Sequence, residues 1–87
     1  MRITITSRAQ KQIKKYPKTF QIIIINRIRK LINEEVASAE KLTGYKNFYR
    51  LRIGNYRIVY VKSLVEIEIV LVAHRKEVYK LLERFLK

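Results

Sequence analysis

The sequence predicts an α+β fold, a small antiparallel sheet ordered strand–helix–helix–three-strand meander–helix with the helices packed on one face. Three observations carry this prediction. Gly54-Asn55, a good two-residue hairpin turn, sits between two β-rich runs. Phe20, Ile24, Ile28, Leu31 and Ile32 hold a helical spacing. Val78, Leu81, Leu82 and Phe85 follow the same period near the C-terminal end. A length of 87 residues suits one domain, spanning 1–87, with a modest core.

The elements follow in order. Ile3 and Ile5 alternate with Arg2 and Thr4, which predicts a short first strand. Ser7-Arg-Ala-Gln10 has the pattern of a capping box, so a helix starts there. Ala9, Ile13 and Tyr16 share one face of it, and Pro17 ends it. Four consecutive isoleucines, 22–25, would suit a buried strand, but the longer 3.6-residue period favours a helix over about 18–34. Ile22 and Ile25 fall at the edges of its apolar stripe. Residues 35–46 read as a connecting loop, 65–73 as the last strand and 76–86 as the last helix.

Charge narrows the function. Twenty Lys and Arg stand against seven acidic residues, all Glu, for a net charge of +13. Such self-repulsion is relieved by a polyanion or an acidic partner. The absence of cysteine excludes disulfides and thiol chemistry. One histidine, with no cysteine and no aspartate, argues against a protein-built metal site; no metal and no cofactor are expected. No apolar run approaches the roughly 18 residues of a membrane span, and the N-terminal stretch lacks a signal-peptide core. The chain is expected to be cytoplasmic.

The hairpin sharpens this reading. Turning at Gly54-Asn55 pairs Ile53 with Tyr56 and Arg52 with Arg57. Tyr49, Leu51, Ile53, Tyr56, Ile58 and Tyr60 then form a core face. Phe48, Arg50, Arg52, Arg57, Val59 and Val61 form the other. Facing arginines destabilise a sheet, so the pairing points to function unless Glu66 and Glu68 neutralise it. A next turn at Ser63-Leu64 sets Glu68 opposite Val59. It also adds Val70, Val72 and His74 to the arginine face and leaves Ile67, Ile69, Leu71 and Ala73 on the core face.

Arg50, Arg52, Arg57, His74 and Arg75 together suit a phosphate. Without a metal, phosphodiester cleavage needs an internal nucleophile, which RNA has in its 2′-OH and DNA lacks. The protein then supplies a proton acceptor, a proton donor and positive charge for the phosphorane.

The stretches KLTGYKNFYRLRIGNYRIVYV and VLVAHRKEVYKLL resemble the RelE/ParE superfamily of type II toxin–antitoxin toxins, most closely the RelE-type mRNA interferases. The resemblance covers nearly the whole chain and implies a RelE-like fold. It implies a ribosome-dependent endoribonuclease that cuts mRNA in the A site, leaving a 2′,3′-cyclic phosphate and a 5′-OH. It also implies an acidic antitoxin as partner, ribosome and mRNA as targets, and operator DNA bound only through the antitoxin complex. Arg57, Arg75 and Tyr79 match family positions, and His74 resembles an acid or base of some branches. Arg50 and Arg52 stand where one branch has lysines; being always protonated, they can only stabilise charge. Glu40 is a weaker candidate base, near a catalytic glutamate of another branch. Lys11, Lys14, Lys15, Lys18, Arg27, Arg29 and Lys30 are candidate RNA or ribosome contacts. A ParE-like gyrase inhibitor and a non-catalytic nucleic-acid-binding module are the alternatives.

Overall fold

The computed structural model describes residues 2–33 and 39–86. Five strands and three helices are assigned: β1 (Arg2–Ile5), α1 (Ser7–Lys14), α2 (Lys18–Asn33), β2 (Ala39–Lys41), β3 (Phe48–Ile53), β4 (Tyr56–Lys62), β5 (Glu66–His74) and α3 (Val78–Leu86). The fold is α+β, and its element order is the expected one with a short extra strand, β2, before the meander. Residues 34–38, part of the expected loop and of the last expected residue of α2, lie outside the described residues.

Local chemistry sets the boundaries. The cap of α1 is Thr6 rather than Ser7: its hydroxyl accepts the Ala9 amide at 3.2 Å. Gln10 donates instead to the Ile5 carbonyl at 2.8 Å. The expected capping box does not form: the cap moves back one residue, Ala9 stands at N3, and the Thr6 amide donates to the Ile69 carbonyl instead. Pro17 opens α2, with its carbonyl accepting the Phe20 and Gln21 amides. The Gln21 side chain reaches back to the Tyr16 carbonyl at 2.8 Å and ties the two helices together. Ile24, Ile28 and Leu31 of α2 are buried, Ile25 is half-buried, and Ile22, Ile23 and Ile32 are exposed.

The sheet runs β1-β5-β4-β3-β2. It is mixed rather than purely antiparallel, because β1 lies parallel to β5. The two helices between β1 and the meander give the chain the length that a parallel return requires. The expected hairpin register holds at every pair from Ile53↔Tyr56 to Phe48↔Val61, including Arg52↔Arg57. Gly54 takes a φ of 56°, open to glycine, and Asn55 follows at ordinary φ, as in a II′ turn.

The β4–β5 register differs from expectation in two ways. Lys62 faces Ile67, so the connection is longer than Ser63-Leu64; the Ser63 hydroxyl accepts the Val65 and Glu66 amides inside it. Glu68 then faces Val61, not Val59. Further on, Val59 faces Leu71 while Tyr60 faces Ile69, leaving Val70 as an extra residue. One extra residue reverses every side chain beyond it. Leu71 and Ala73 therefore join the arginine face, and Val72 and His74 leave it.

The helices also divide between the faces. Ala9, Ile13, Ile24, Ile28 and Leu31 pack on Leu51, Ile53, Ile58, Ile67, Ile69 and Val72. On the other face, Val78 and Leu82 of α3 cover Val59, Val70, Leu71 and Ala73, with Leu42 beside them. The expectation of helices on one face is corrected: β5 is apolar on both sides after Ile69, and each side needs a cover.

Candidate active site

The α3 face is only partly covered. Where the helix stops, the sheet carries arginines. Arg50 on β3 faces Glu40 on β2 and Val59 on β4. Arg52 faces Arg57. Arg75 follows β5, and its backbone amide donates to the Asn55 carbonyl at 2.8 Å, pinning it beside the hairpin turn. Val78 anchors the first turn of α3 in the core, which sets Tyr79 at the rim, about half exposed.

Arg50 is the hub. Its Nη2 donates to the Glu40 carboxylate at 2.8 Å, and its Nη1 donates to the Tyr79 hydroxyl. The guanidinium also lies 5.8 Å from the centre of the Tyr79 ring. One planar fork thus holds a carboxylate and a phenol in fixed relation. The Tyr79 oxygen accepts, so its own proton is left to donate.

The electrostatics bind these groups into one cluster. The hydrogen bond from Arg50, and then its charge, hold the Glu40 carboxyl below the usual carboxylate range; Arg52 and Arg57 lower it further. Arg57 is pushed down by partial burial and then by Arg52, Arg50 and Arg75, with Glu40 opposing. It remains a cation. Its Nη1 donates to the Gly54 carbonyl at 3.0 Å and the Tyr56 carbonyl at 2.9 Å, which orients the side chain over the turn. Glu66 does not neutralise this cluster; it pairs with Arg2 at 3.1 Å.

Of the residues singled out from sequence, Glu40, Arg50, Arg52, Arg57, Arg75 and Tyr79 are gathered at this end of the sheet. His74 is not. It lies across from Tyr56 on the α1 face, its ring 5.4 Å from the Tyr56 ring, and its Nδ1 accepts the Lys76 amide. Lys11, Lys14, Lys15, Lys18, Arg29 and Lys30 are exposed along α1 and α2. Arg27 reaches the sheet, donating to the Arg52 carbonyl at 3.2 Å. The strand β2 went unseen in the sequence, and with it the pairing that brings Glu40 to Arg50. Gln12 was also missed: its side-chain oxygen accepts the Val72 amide at 2.7 Å, on the edge of β5 that β1 leaves uncovered. No helix among the described residues is long and apolar enough to cross a membrane.

Comparison with known proteins addresses the chain as a whole. Residues 3–79 match the family described as the ParE toxin of the type II toxin–antitoxin system parDE. A 48-residue stretch is 40% identical to Toxin RelE3 of Methanocaldococcus jannaschii, covering 55% of this chain and 54% of that protein. The match thus spans about half the length of this curated relative. The RelB–RelE antitoxin–toxin complex from Methanococcus jannaschii contains a chain that superposes with a TM-score of 0.74 at 28% identity, covering 90% of this chain and 96% of that one. The archaeal RelE–RelB complex from Pyrococcus horikoshii gives 0.73 at 26% identity, covering 85% and 93%.

Proposed function

The chain belongs to the ParE toxin family of type II toxin–antitoxin systems, and from that premise we propose that it is a metal-free endoribonuclease cleaving mRNA in the ribosomal A site. The observation that carries this reading is the Arg50 fork, which joins Glu40 to Tyr79 among Arg52, Arg57 and Arg75. A carboxylate, a phenol and a set of fixed cations are the parts that 2′-OH attack requires.

In this mechanism the 2′-oxygen attacks phosphorus and its proton passes to Glu40. Arg57 and Arg52 stabilise the charge that grows on the non-bridging oxygens, and Arg75 assists. The P–O5′ bond breaks, and the leaving oxygen takes the proton of Tyr79. The products are a 2′,3′-cyclic phosphate and a 5′-OH; exchange with water resets both groups. Glu40 is a weak base, since Arg50 stabilises its ionised form, but that same contact keeps it deprotonated at neutral pH. His74, on the other side of the sheet, takes no part in proton transfer.

The partners follow from charge. An acidic antitoxin offsets the excess of +13, and the exposed lysines of α1 and α2 meet ribosomal RNA. Operator DNA is reached only through the antitoxin complex. A second reading, inhibition of DNA gyrase, is favoured by the name of the matching family. Inducing the protein in cells, mapping new 5′-hydroxyl ends, and assaying supercoiling separates the two. New ends on translated messages, absent from untranslated ones, are expected. Intact messages with lost supercoiling would overturn the ribonuclease reading.

A further inference from the structure

A second concavity lies at the β5 edge of the sheet, beyond the reach of β1. A cavity of about 600 Å3 opens between α1 and α3, over the end of β5. None of the clustered arginines line it. Its size is within the range that holds a compact organic ligand.

Its walls have a definite chemistry. Tyr16, Tyr56 and His74 form one aromatic side. Tyr56 lies 5.1 Å from Tyr16 and 5.4 Å from His74 between ring centres, both edge-to-face, so the group is packed before any ligand arrives. Elsewhere in the lining the Arg8 guanidinium sits 4.1 Å from the centre of the Phe85 ring. That contact links α1 to α3 and holds a flat cation in the wall. Val72, Ala73 and Leu81 supply an apolar floor. Arg8, Lys11 and Lys15 stand at the α1 side, against Glu77 as the one acid in the lining. Burial, then Tyr56 and Glu77, raise the Tyr16 hydroxyl above its usual range, so it stays protonated and able to donate.

We propose that this cavity is a nucleotide-unit site, which takes one unstacked RNA base against the aromatic side and the Arg8–Phe85 wall and holds its phosphate with Lys11 and Lys15. Aromatic rings and arginine planes stack bases without strong sequence preference, and lysines track the backbone. The site lies apart from the Arg50 cluster. It deepens the ribosome-docking part of the proposed function, because it gives the basic face of α1 a pocket for a splayed base. The two stand separately, since binding here needs no cleavage.

An acidic peptide could use the same cations. The cavity favours a base because its side walls are aromatic or guanidinium planes, which a base can stack on and a carboxylate cannot use.

The test is titration of the full chain with adenosine 5′-monophosphate, ribose 5-phosphate, a short RNA hairpin carrying one bulged adenosine, and a polyglutamate peptide. Backbone amide shifts are followed by NMR. The monophosphate and the bulged hairpin are expected to shift Gln12, Tyr56, Val72 and His74. Ribose 5-phosphate is expected to bind there about tenfold more weakly, from loss of stacking. Arg8→Ala and Phe85→Leu should each weaken the monophosphate several-fold with only a small, similar fall in the melt, from loss of their shared contact. If the monophosphate binds but the hairpin does not, the ligand is a free nucleotide and the RNA assignment is overturned. Equal binding of ribose 5-phosphate would make this a plain anion site. Shifts confined to Arg50, Arg52, Arg57 and Arg75, or binding of polyglutamate alone, would overturn the proposal. None of these outcomes depends on ribonuclease activity, so a failed cleavage assay would leave this result readable.

Discussion

The two faces of the sheet are finished differently. On one, α1 and α2 lay a continuous apolar cover over β1, β3, β4 and β5. On the other, α3 covers the middle and leaves the hairpin end to Arg50, Arg52, Arg57, Arg75, Tyr79 and Glu40. The first face is what a stable small protein needs. The second gives up part of that burial to hold like charges 52 and 57 opposite each other. Under the proposed function, the difference teaches where the chemistry sits: where the cover ends and strands on both sides still hold the register.

The largest expected effect tests whether both faces are needed for folding. Leu82 and Ile24 are fully buried on opposite sides. Replacing either with Ala should cost about 2–5 kcal/mol, a large share of the roughly 5–15 kcal/mol that small proteins have. Urea melts check this. A loss below about 1 kcal/mol at Leu82 would mean that α3 is not a true cover.

Next comes the arginine end. Arg57→Ala should lower single-turnover cleavage on programmed ribosomes by about 10²–10³-fold, or about 3–4 kcal/mol of transition-state stabilisation. The melt should change little, because relief of the facing Arg52–Arg57 charges offsets the loss of the bonds to the Gly54 and Tyr56 carbonyls. Tyr79→Phe keeps the ring and removes the donated proton, so it should also lose cleavage while melting as the wild type does. Full cleavage by both variants would exclude this end of the sheet as the active site.

These predictions rest on parts of the fold that were unequally legible. The hairpin register was legible because Gly54-Asn55 fixes the turn, and the alternation on both sides agrees with it. The helix of α2 was legible through Ile24, Ile28 and Leu31. His74 was misplaced because a bulge at Val70 leaves no mark in residue type: Val70 and Leu71 are both apolar wherever they point. A signal for the two-sided cover did exist. Ile69-Val-Leu-Val-Ala73 is a continuous apolar run, as a strand buried on both faces should be. The pairing of Glu40 with Arg50 was hidden because β2 is three residues long, too short to show a period.

Gln12 sharpens the comparison at the edge of the well-covered face. Its side chain stands in for the strand that β1 does not extend to Val72. Gln12→Ala leaves that amide without its partner, and should cost about 1–3 kcal/mol. Faster hydrogen exchange at the Val72 amide, with the β3–β4 amides unchanged, would locate the loss. An unchanged rate would show that the side chain is not what protects this edge.

Glu40 gives a smaller effect with a pH signature. Its carboxyl is more acidic in the fold than its usual value of 4.5. A depressed carboxylate adds stability above its unfolded value, and that stability is lost as pH falls through the folded value. The Glu40→Gln variant should therefore melt slightly below the wild type at neutral pH, with the gap closing in acid below about pH 4.5. The pair is exposed, so the gap is small and should shrink with salt. A gap that grows in acid would contradict the Arg50 contact.

The smallest effect bears most directly on the comparison. Arg52 is exposed, faces Arg57, and uses its backbone carbonyl, not its side chain, to accept from Arg27. Arg52→Thr keeps that carbonyl and puts a good strand former at the position. It removes the like-charge pair and should raise stability by a few tenths to about 1 kcal/mol. Cleavage should fall, because one cation near the phosphate is gone. Melts and single-turnover rates moving in opposite directions would show that the uncovered face holds its charges against the preference of the sheet. If stability fell with activity, Arg52 would belong to the structural framework, and the contrast between the faces would narrow to Arg50 and Arg57.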